Sequence, residues 1–270
     1  MMKMRFSRPE VEIAYQVSGS GPALLLMAAT AFPGSLWWHF ELEDLAQDFQ
    51  VIVFDQRGTG ETTVTSNDFS TATLASDAIA LLDHLGIEKA HIFGHSNGGR
   101  VAQYIAIHHP ERAQSLVLAS SGGTHKSRGV PIEMCLKLVT DGYFKYSRDH
   151  AIGTGCLSVL PEEHERAKRF LQDFLGSLVP LEIFLRFVVA RQETDTFSGI
   201  AAYSKPVLVL VGENEGKMPG DNHMEFATKL HIKLLNVQLH VIESQGHFYP
   251  FLQPHKIHRL IRKFLALNFK

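Results

Sequence analysis

The sequence predicts an α/β protein: a mostly parallel central sheet with helices on both faces and a helical insertion in the second half of the chain. Three observations carry this. Apolar runs of strand length alternate with longer stretches of helical period. Residues 23–28 and 51–54 are almost wholly apolar, as strands buried on both faces are. Residues 122–201 break the alternation with helical patterns and no convincing strand.

Residues 11–17 alternate like a half-exposed strand, and 23–28 and 51–54 follow as buried ones. A helix is predicted over 73–85, with Leu74, Ala78, Leu81, Leu82 and Leu85 on one face and Gly86 to end it. Residues 91–93 and 116–119 are strands, separated by a helix over 101–108. Pro206 opens the strongest strand, 207–211; 239–242 gives another, and 257–267 a closing helix. Within the interruption, helical patterns at 132–139, 162–175 and 181–192 are divided by Gly142, Gly153, Pro161 and Pro180. The organisation expected is therefore a core of residues 1–121 and 202–270 with a helical cap, 122–201, over the carboxyl edge of the sheet, where open α/β sheets bind ligands.

With 270 residues, 45% of them hydrophobic and 20% charged, the chain can bury one large core with an inserted subdomain. A net charge of -2, a pI near 6.7 and no Lys/Arg run argue against a nucleic-acid partner. No stretch approaches the roughly 18 apolar residues of a membrane span. The opening Met1-Met2-Lys3-Met4-Arg5-Phe6 runs on without a signal-type apolar core, so a cytoplasmic protein is expected. Cys135 and Cys156 lack metal-ligand spacing and are read as reduced thiols; no metal is expected.

The chemistry is concentrated in residues 91–99, His-Ile-Phe-Gly-His-Ser-Asn-Gly-Gly. Gly94-His95-Ser96-Asn97-Gly98 has the spacing G-x-S-x-G between an apolar run and a helical one. A strand turning abruptly into a helix strains the residue at its apex and needs small neighbours two positions either side. The turn exposes the Ser96 hydroxyl beside helix N-terminal N–H groups. A serine nucleophile needs a base and a group to orient it. Of 15 histidines, His247, in Ser244-Gln245-Gly246-His247-Phe248 between the last strand and the last helix, has the position of a base. The acid is expected after a strand between the two. Val211-Gly212-Glu213-Asn214-Glu215 offers Glu215, with Glu213 as the alternative, whereas Ala119-Ser120-Ser121-Gly122 holds no carboxylate.

These pieces resemble the α/β-hydrolase fold superfamily, in its serine-hydrolase branch with a helical cap, over nearly the whole chain. Phe54-Asp55-Gln56-Arg57-Gly58-Thr59-Gly60 is similar to the family's D-x-R-G-x-G turn, Asp77 and Pro110-Glu111-Arg112 also fit, and the order Ser, acid, His is the family's. The resemblance implies an oxyanion hole from the backbone N–H groups of Phe32 and Asn97. Two departures stand out: Thr30-Ala31 replaces the common His-Gly before Phe32, and Glu215 replaces the usual Asp.

The function expected is hydrolysis of a carboxylic ester or lactone with an apolar portion, through an acyl-enzyme on Ser96 and without a cofactor. Same-fold alternatives are a hydrolase of carbon–carbon bonds in ring-cleavage products, an amidase, aminopeptidase or perhydrolase, and a thioesterase; a different class is a non-catalytic small-ligand binder. Ser96 argues against epoxide hydrolases and haloalkane dehalogenases, which resemble this fold but carry Asp at the elbow. Trp37, Trp38, His39, His95, Phe184, Phe187 and Phe248 are the expected pocket residues. Most of the apolar positions Phe170, Phe174, Phe184, Phe187, Val188 and Val189 are expected to pack the cap, leaving a minority to face a substrate or a second copy in a homodimer.

Overall fold

A computed structural model describes residues 3–123, 129–153, 160–217 and 222–269. The chain opens with a hairpin, β1 (Met4–Arg8) against β2 (Val11–Ser18), followed by β3 (Ala23–Met27), a 3₁₀ turn at Gly34–Phe40, α1 (Leu42–Leu45) and β4 (Gln50–Phe54). A two-residue strand, β5 (Thr63–Val64), leads to α2 (Thr71–His84), β6 (Ala90–His95), α3 (Asn97–His108) and β7 (Ala113–Ala119). Four helices come next: α4 (Ile132–Asp141), α5 (Tyr143–Gly153), α6 (His164–Gly176) and α7 (Leu181–Gln192). The chain returns through β8 (Val207–Gly212), α8 (His223–Lys233), β9 (Val237–Ile242), α9 (Tyr249–Leu252) and α10 (Pro254–Asn268).

The sheet runs β1-β2-β4-β3-β6-β7-β8-β9, with β5 on β2. Pairings from β4 to β9 are parallel and the amino-terminal ones antiparallel. Strand side chains alternate between faces, so neighbouring residues feed opposite core layers. Leu25, Ile52, Ile92 and Val209 pack with α2, α3 and α8, whereas Leu24, Leu26, Val51, Phe93 and Leu208 pack with Trp37, Phe40, Phe251 and α10. This two-sided burial is why β3 and β4 read as continuous apolar runs.

Six elements escape the sequence pattern: β1, α5 and α8, and the short α1, β5 and α9. β1 is a half-exposed edge strand, and its Met-Arg-Phe-Ser-Arg reads as a charged terminus. α5 carries Tyr, Lys, Arg, Asp and His without an apolar stripe. α8 gains its start from Asn222, whose side chain accepts the Glu225 N–H at 2.9 Å. α2 begins at Thr71 rather than 73 because Ser70 caps it by accepting the Thr73 N–H.

Helices α4 to α7 all lie between β7 and β8 and are stitched to the sheet layers. Thr71 Oγ1 donates to the Ala190 carbonyl (3.1 Å) and an Arg100 NH donates to the Arg191 carbonyl (2.9 Å). Buried Glu163, just before α6, accepts from Gln245 (3.0 Å) and Gln253 (2.6 Å), tying this segment to the loop that carries His247. Cys135 lies exposed on α4; Cys156 is outside the described residues. No described helix is long and apolar enough to cross a membrane.

The turn after β4 is locked by charge. Asp55 accepts the N–H groups of Gly34 (2.6 Å) and Glu61 (2.9 Å), and Gln56 donates to the Ala28 carbonyl (3.0 Å), so this turn fixes the loop after β3. Arg57, 4% exposed, forks onto Asp77 at 2.7 and 2.9 Å and donates to the Asp68 carbonyl. Removing one partner of a buried pair strands the other charge. Asp77→Ala is therefore expected to lower the unfolding free energy by about 3–5 kcal/mol. Urea titration measures it, and a loss under about 1 kcal/mol would show the pair to be solvated rather than buried.

Candidate active site

Ser96 sits between β6 and α3 with φ 55 and ψ −117, a backbone conformation that side chains other than glycine rarely adopt. Its N–H donates to the Ala119 carbonyl at 2.8 Å, anchoring the apex to β7. The flanking glycines are required sterically. A Cβ on Gly94 would lie 2.4 Å from Gly99 Cα, and one on Gly98 would lie 2.1 Å from the Met27 carbonyl oxygen. α3 begins at Asn97, directly after the serine, rather than at 101. The Asn97 N–H, at the first helical position, has no intrahelical acceptor.

The loop after β9 brings His247 to Glu215, which lies in a 3₁₀ turn directly after β8. His247 Nδ1–H donates to Glu215 Oε2 at 2.8 Å. Glu215 Oε1 accepts the Gly212 N–H at 2.9 Å and the Ser120 hydroxyl. His223 Nδ1 lies 3.1 Å from Oε2, a close contact that is ionic when His223 is protonated. Glu215 is fully buried, and burial alone would raise its pKa. The charges of His223 and His247 and their hydrogen bonds together outweigh that, holding the carboxyl well below its ordinary 4.5 and ionised. Glu213 is placed differently: it is exposed, and its carboxylate accepts the Ser244 N–H at 2.8 Å, which steadies the histidine loop from outside.

His95 does not face a ligand. It is fully buried, its Nε2–H donates to the His247 carbonyl at 2.9 Å, and burial, then the neighbouring His247 charge, lowers its pKa to about 3. It therefore acts as a neutral strut under the His247 backbone. Glu215, His223 and His247 also bring three metal-type donors within 4.8 Å, as do Asp44, His255 and His258. A cation at the first would displace the His247–Glu215 bond, and Asp44 already pairs with Arg262 at 3.0 Å.

Ser96, His223 and His247 line one cavity of about 150 Å³. Its floor is formed by the loop after β3, Ala29 to Pro33. The other wall comes from the inserted helices, with Met134, Tyr143, Tyr146, His150, Phe174, Phe184 and Arg191, and Phe248 closes the histidine side. Of the expected pocket residues, Phe184 and Phe248 are here and five others are not. Trp37 is 1% exposed and packs against Phe40, Phe93 and Phe251. Phe187 is fully buried and packs edge-on against Phe69 instead. His95 is the strut just described. Trp38, 58% exposed, lines a separate groove of about 600 Å³ together with His39, which pairs with Asp173, and none of Ser96, Glu215 or His247 reaches it.

The loop after β3 also modifies the expected oxyanion donors. Ala31 takes φ 59, and the Phe32 N–H closes a turn on the Ala29 carbonyl at 3.1 Å. An oxyanion would receive that N–H only as a shared donor, with the Asn97 N–H the unshared one. Ser120, His223, Tyr143, Tyr146 and Arg191 were not singled out from the sequence. Only Ser120 carried a local signal, its place at the end of a parallel strand.

A nucleophile-type turn at the end of a central parallel strand, with an acid and a histidine on the next strand-end loops, defines an α/β-hydrolase fold. Comparison with known proteins agrees. A family model described as the alpha/beta hydrolase fold matches residues 25–140. A putative carbamate hydrolase RutD of Pseudomonas savastanoi is 29% identical over 254 residues, covering 90% of this chain and 93% of the relative. A 2-hydroxy-6-oxononadienedioate/2-hydroxy-6-oxononatrienedioate hydrolase of Paraburkholderia xenovorans is 27% identical over 270 residues, covering 95% and 91%. Est816, described as an N-acyl homoserine lactone degrading enzyme, superposes with a TM-score of 0.80 at 24% identity over 97% of this chain and 100% of its own. The chain has the α/β-hydrolase fold, residues 25–140 match the model of that fold, and its likeness to named hydrolases over most of its length supports an enzyme of the hydrolase class.

Loss of the Glu215 charge, in Glu215→Gln, is expected to cut turnover about 10⁴-fold, the scale found when a histidine-orienting carboxylate is made an amide, while Glu213→Gln stays within about tenfold of wild type. Steady-state kinetics of the two variants decide it, and equal losses would refute the assignment. The depressed pKa also has a stability consequence. The stabilisation from Glu215 is fully present above pH 4.5 and is lost as pH falls through the lower folded-state value. Thermal melts of Glu215→Gln should therefore depend less steeply on pH below 4.5 than those of wild type.

Proposed function

We propose that this protein is a serine hydrolase that cleaves a small carboxylic ester or lactone through an acyl-enzyme on Ser96. The observation carrying this reading is the 2.8 Å contact of His247 Nδ1 with the buried, ionised Glu215, behind a cavity that His247 lines together with Ser96. With Nδ1–H committed to the carboxylate, His247 presents Nε2 as the base. It takes the Ser96 proton as the hydroxyl oxygen attacks the substrate carbonyl, and Glu215 stabilises the imidazolium that results. The N–H groups of Asn97 and, shared, Phe32 receive the oxyanion. Collapse of the tetrahedral intermediate expels the alcohol, which takes the proton back from His247. Water, deprotonated by His247, then attacks the acyl-enzyme and releases the acid. The helices between β7 and β8 serve as the cap that shapes the acyl site, and the apolar part of the substrate lies against Phe174, Phe184 and Phe248.

The likeness to Est816 and its lactone-degrading description support the ester and lactone class. A second reading is cleavage of a carbon–carbon bond beside a ketone by the same residues, and the 27% identical Paraburkholderia relative favours it.

Intact mass after exposure to a small fluorophosphonate tests the mechanism. One adduct is expected on wild type and none on Ser96→Ala or His247→Ala; an unlabelled wild type would overturn the reading. A screen of short esters, lactones and a 2-hydroxy-6-oxo-dienoate then assigns the bond, and preference for the dienoate would select the second reading.

A further inference from the structure

We propose that Arg191 forms a carboxylate subsite, so that the preferred substrate is a short ester or lactone bearing a free carboxylate; this deepens the serine-hydrolase reading and rests on it for the bond that is cut. Arg191 stands seven residues, two turns, beyond Phe184 on α7, and both line the Ser96 cavity. Its stripe is otherwise apolar, with buried Val188 between them. A cation near a helix carboxyl end is favourable in itself, but that accounts for a side chain in solvent and not for one in a cavity wall.

The guanidinium has no acid partner among the described residues, and several acids of the inserted helices and the core are committed elsewhere. Glu182 pairs with Arg186, Asp195 with Ser198, and Glu163 with Gln245 and Gln253. Glu215 is held by its histidines, Ser120 and Gly212. Arg191 Nε is buried without an acceptor, and so is Thr30 Oγ1 on another wall of the same cavity. The Arg191 backbone is fixed in turn, because Arg100 donates to its carbonyl at 2.9 Å and to that of Thr194 at 3.3 Å.

An always-charged planar donor without an acid partner among the described residues matches a carboxylate, which it can bind in bidentate fashion. The reacting carbonyl sits at Ser96 and the carboxylate at Arg191, so the substrate has its two polar groups at opposite ends of a short chain. A cavity of about 150 Å³ leaves little room beyond such a molecule.

The test is calorimetric binding of monomethyl glutarate and dimethyl glutarate to Ser96→Ala, which retains the cavity without turnover. The monoanion is expected to bind at least about tenfold more tightly than the neutral diester. That preference should vanish in Ser96→Ala/Arg191→Gln and survive in part in Ser96→Ala/Arg191→Lys. Circular dichroism melts establish that each variant is folded. No binding of the monoanion, equal binding of the two ligands, or a preference that persists without the Arg191 charge would overturn the proposal. Because Ser96→Ala supplies the readout, a failed fluorophosphonate experiment would strike the hydrolase reading and leave this result interpretable.

Discussion

The turn from β6 into α3 is the constraint around which the rest of the molecule is arranged. To place Ser96 at φ 55, the strand and the helix must almost touch, and only glycines at 94 and 98 allow it. β6 lies near the middle of the sheet, between β3 and β7, so the strain is held from both sides. The loop after β3 closes over the same point because the Met27 carbonyl packs against Gly98. Asp55 and Gln56 then hold that loop from the next turn, and Arg57 anchors the turn to α2. The turn of residues 55–60 is thus a brace for the Ser96 side of the cavity.

A second constraint is the buried charge of Glu215. An ionised carboxylate away from water is tolerable only when its oxygens are occupied. Here Gly212, Ser120 and His247 supply donors, with His223 adding positive charge when protonated. Glutamate reaches one bond further than the usual aspartate, and Ser120 meets the oxygen that does not face His247. The histidine loop is fixed independently, by His95 beneath, Glu213 outside and Glu163 from the inserted segment. Reactivity and rigidity therefore come from the sheet edge, while the opposite wall of the cavity comes from α4, α5, α6 and α7.

That division explains what was legible. The parallel strands announced themselves as apolar runs, because both their faces are covered, and Gly94, Ser96 and Gly98 announced the turn through steric need. Glu215 and His247 followed from strand ends, since loops at one edge of a parallel sheet must converge. Phe184 and Phe187 were not separable on the page: both are apolar and on one helix, yet the first faces the cavity and the second packs on Phe69. Trp37 and Trp38, adjacent in a 3₁₀ turn, diverge into the core and the solvent for the same kind of reason.

The sequence by itself determined most of the central strands and helices, the glycine-flanked turn at Ser96 and the strand ends at which Glu215 and His247 lie, because periodicity, glycine placement and strand ends are local properties. Only the tertiary structure decided the rest: that His95 supports backbone, that the Phe32 N–H is shared with Ala29, that His223 crowds the carboxylate, and that Arg191 lines the cavity. These depend on which side chains from distant elements meet, and on which buried polar atoms are left without partners. A one-dimensional pattern cannot specify either, since a single turn of a helix by one residue moves a side chain about 100° around its axis.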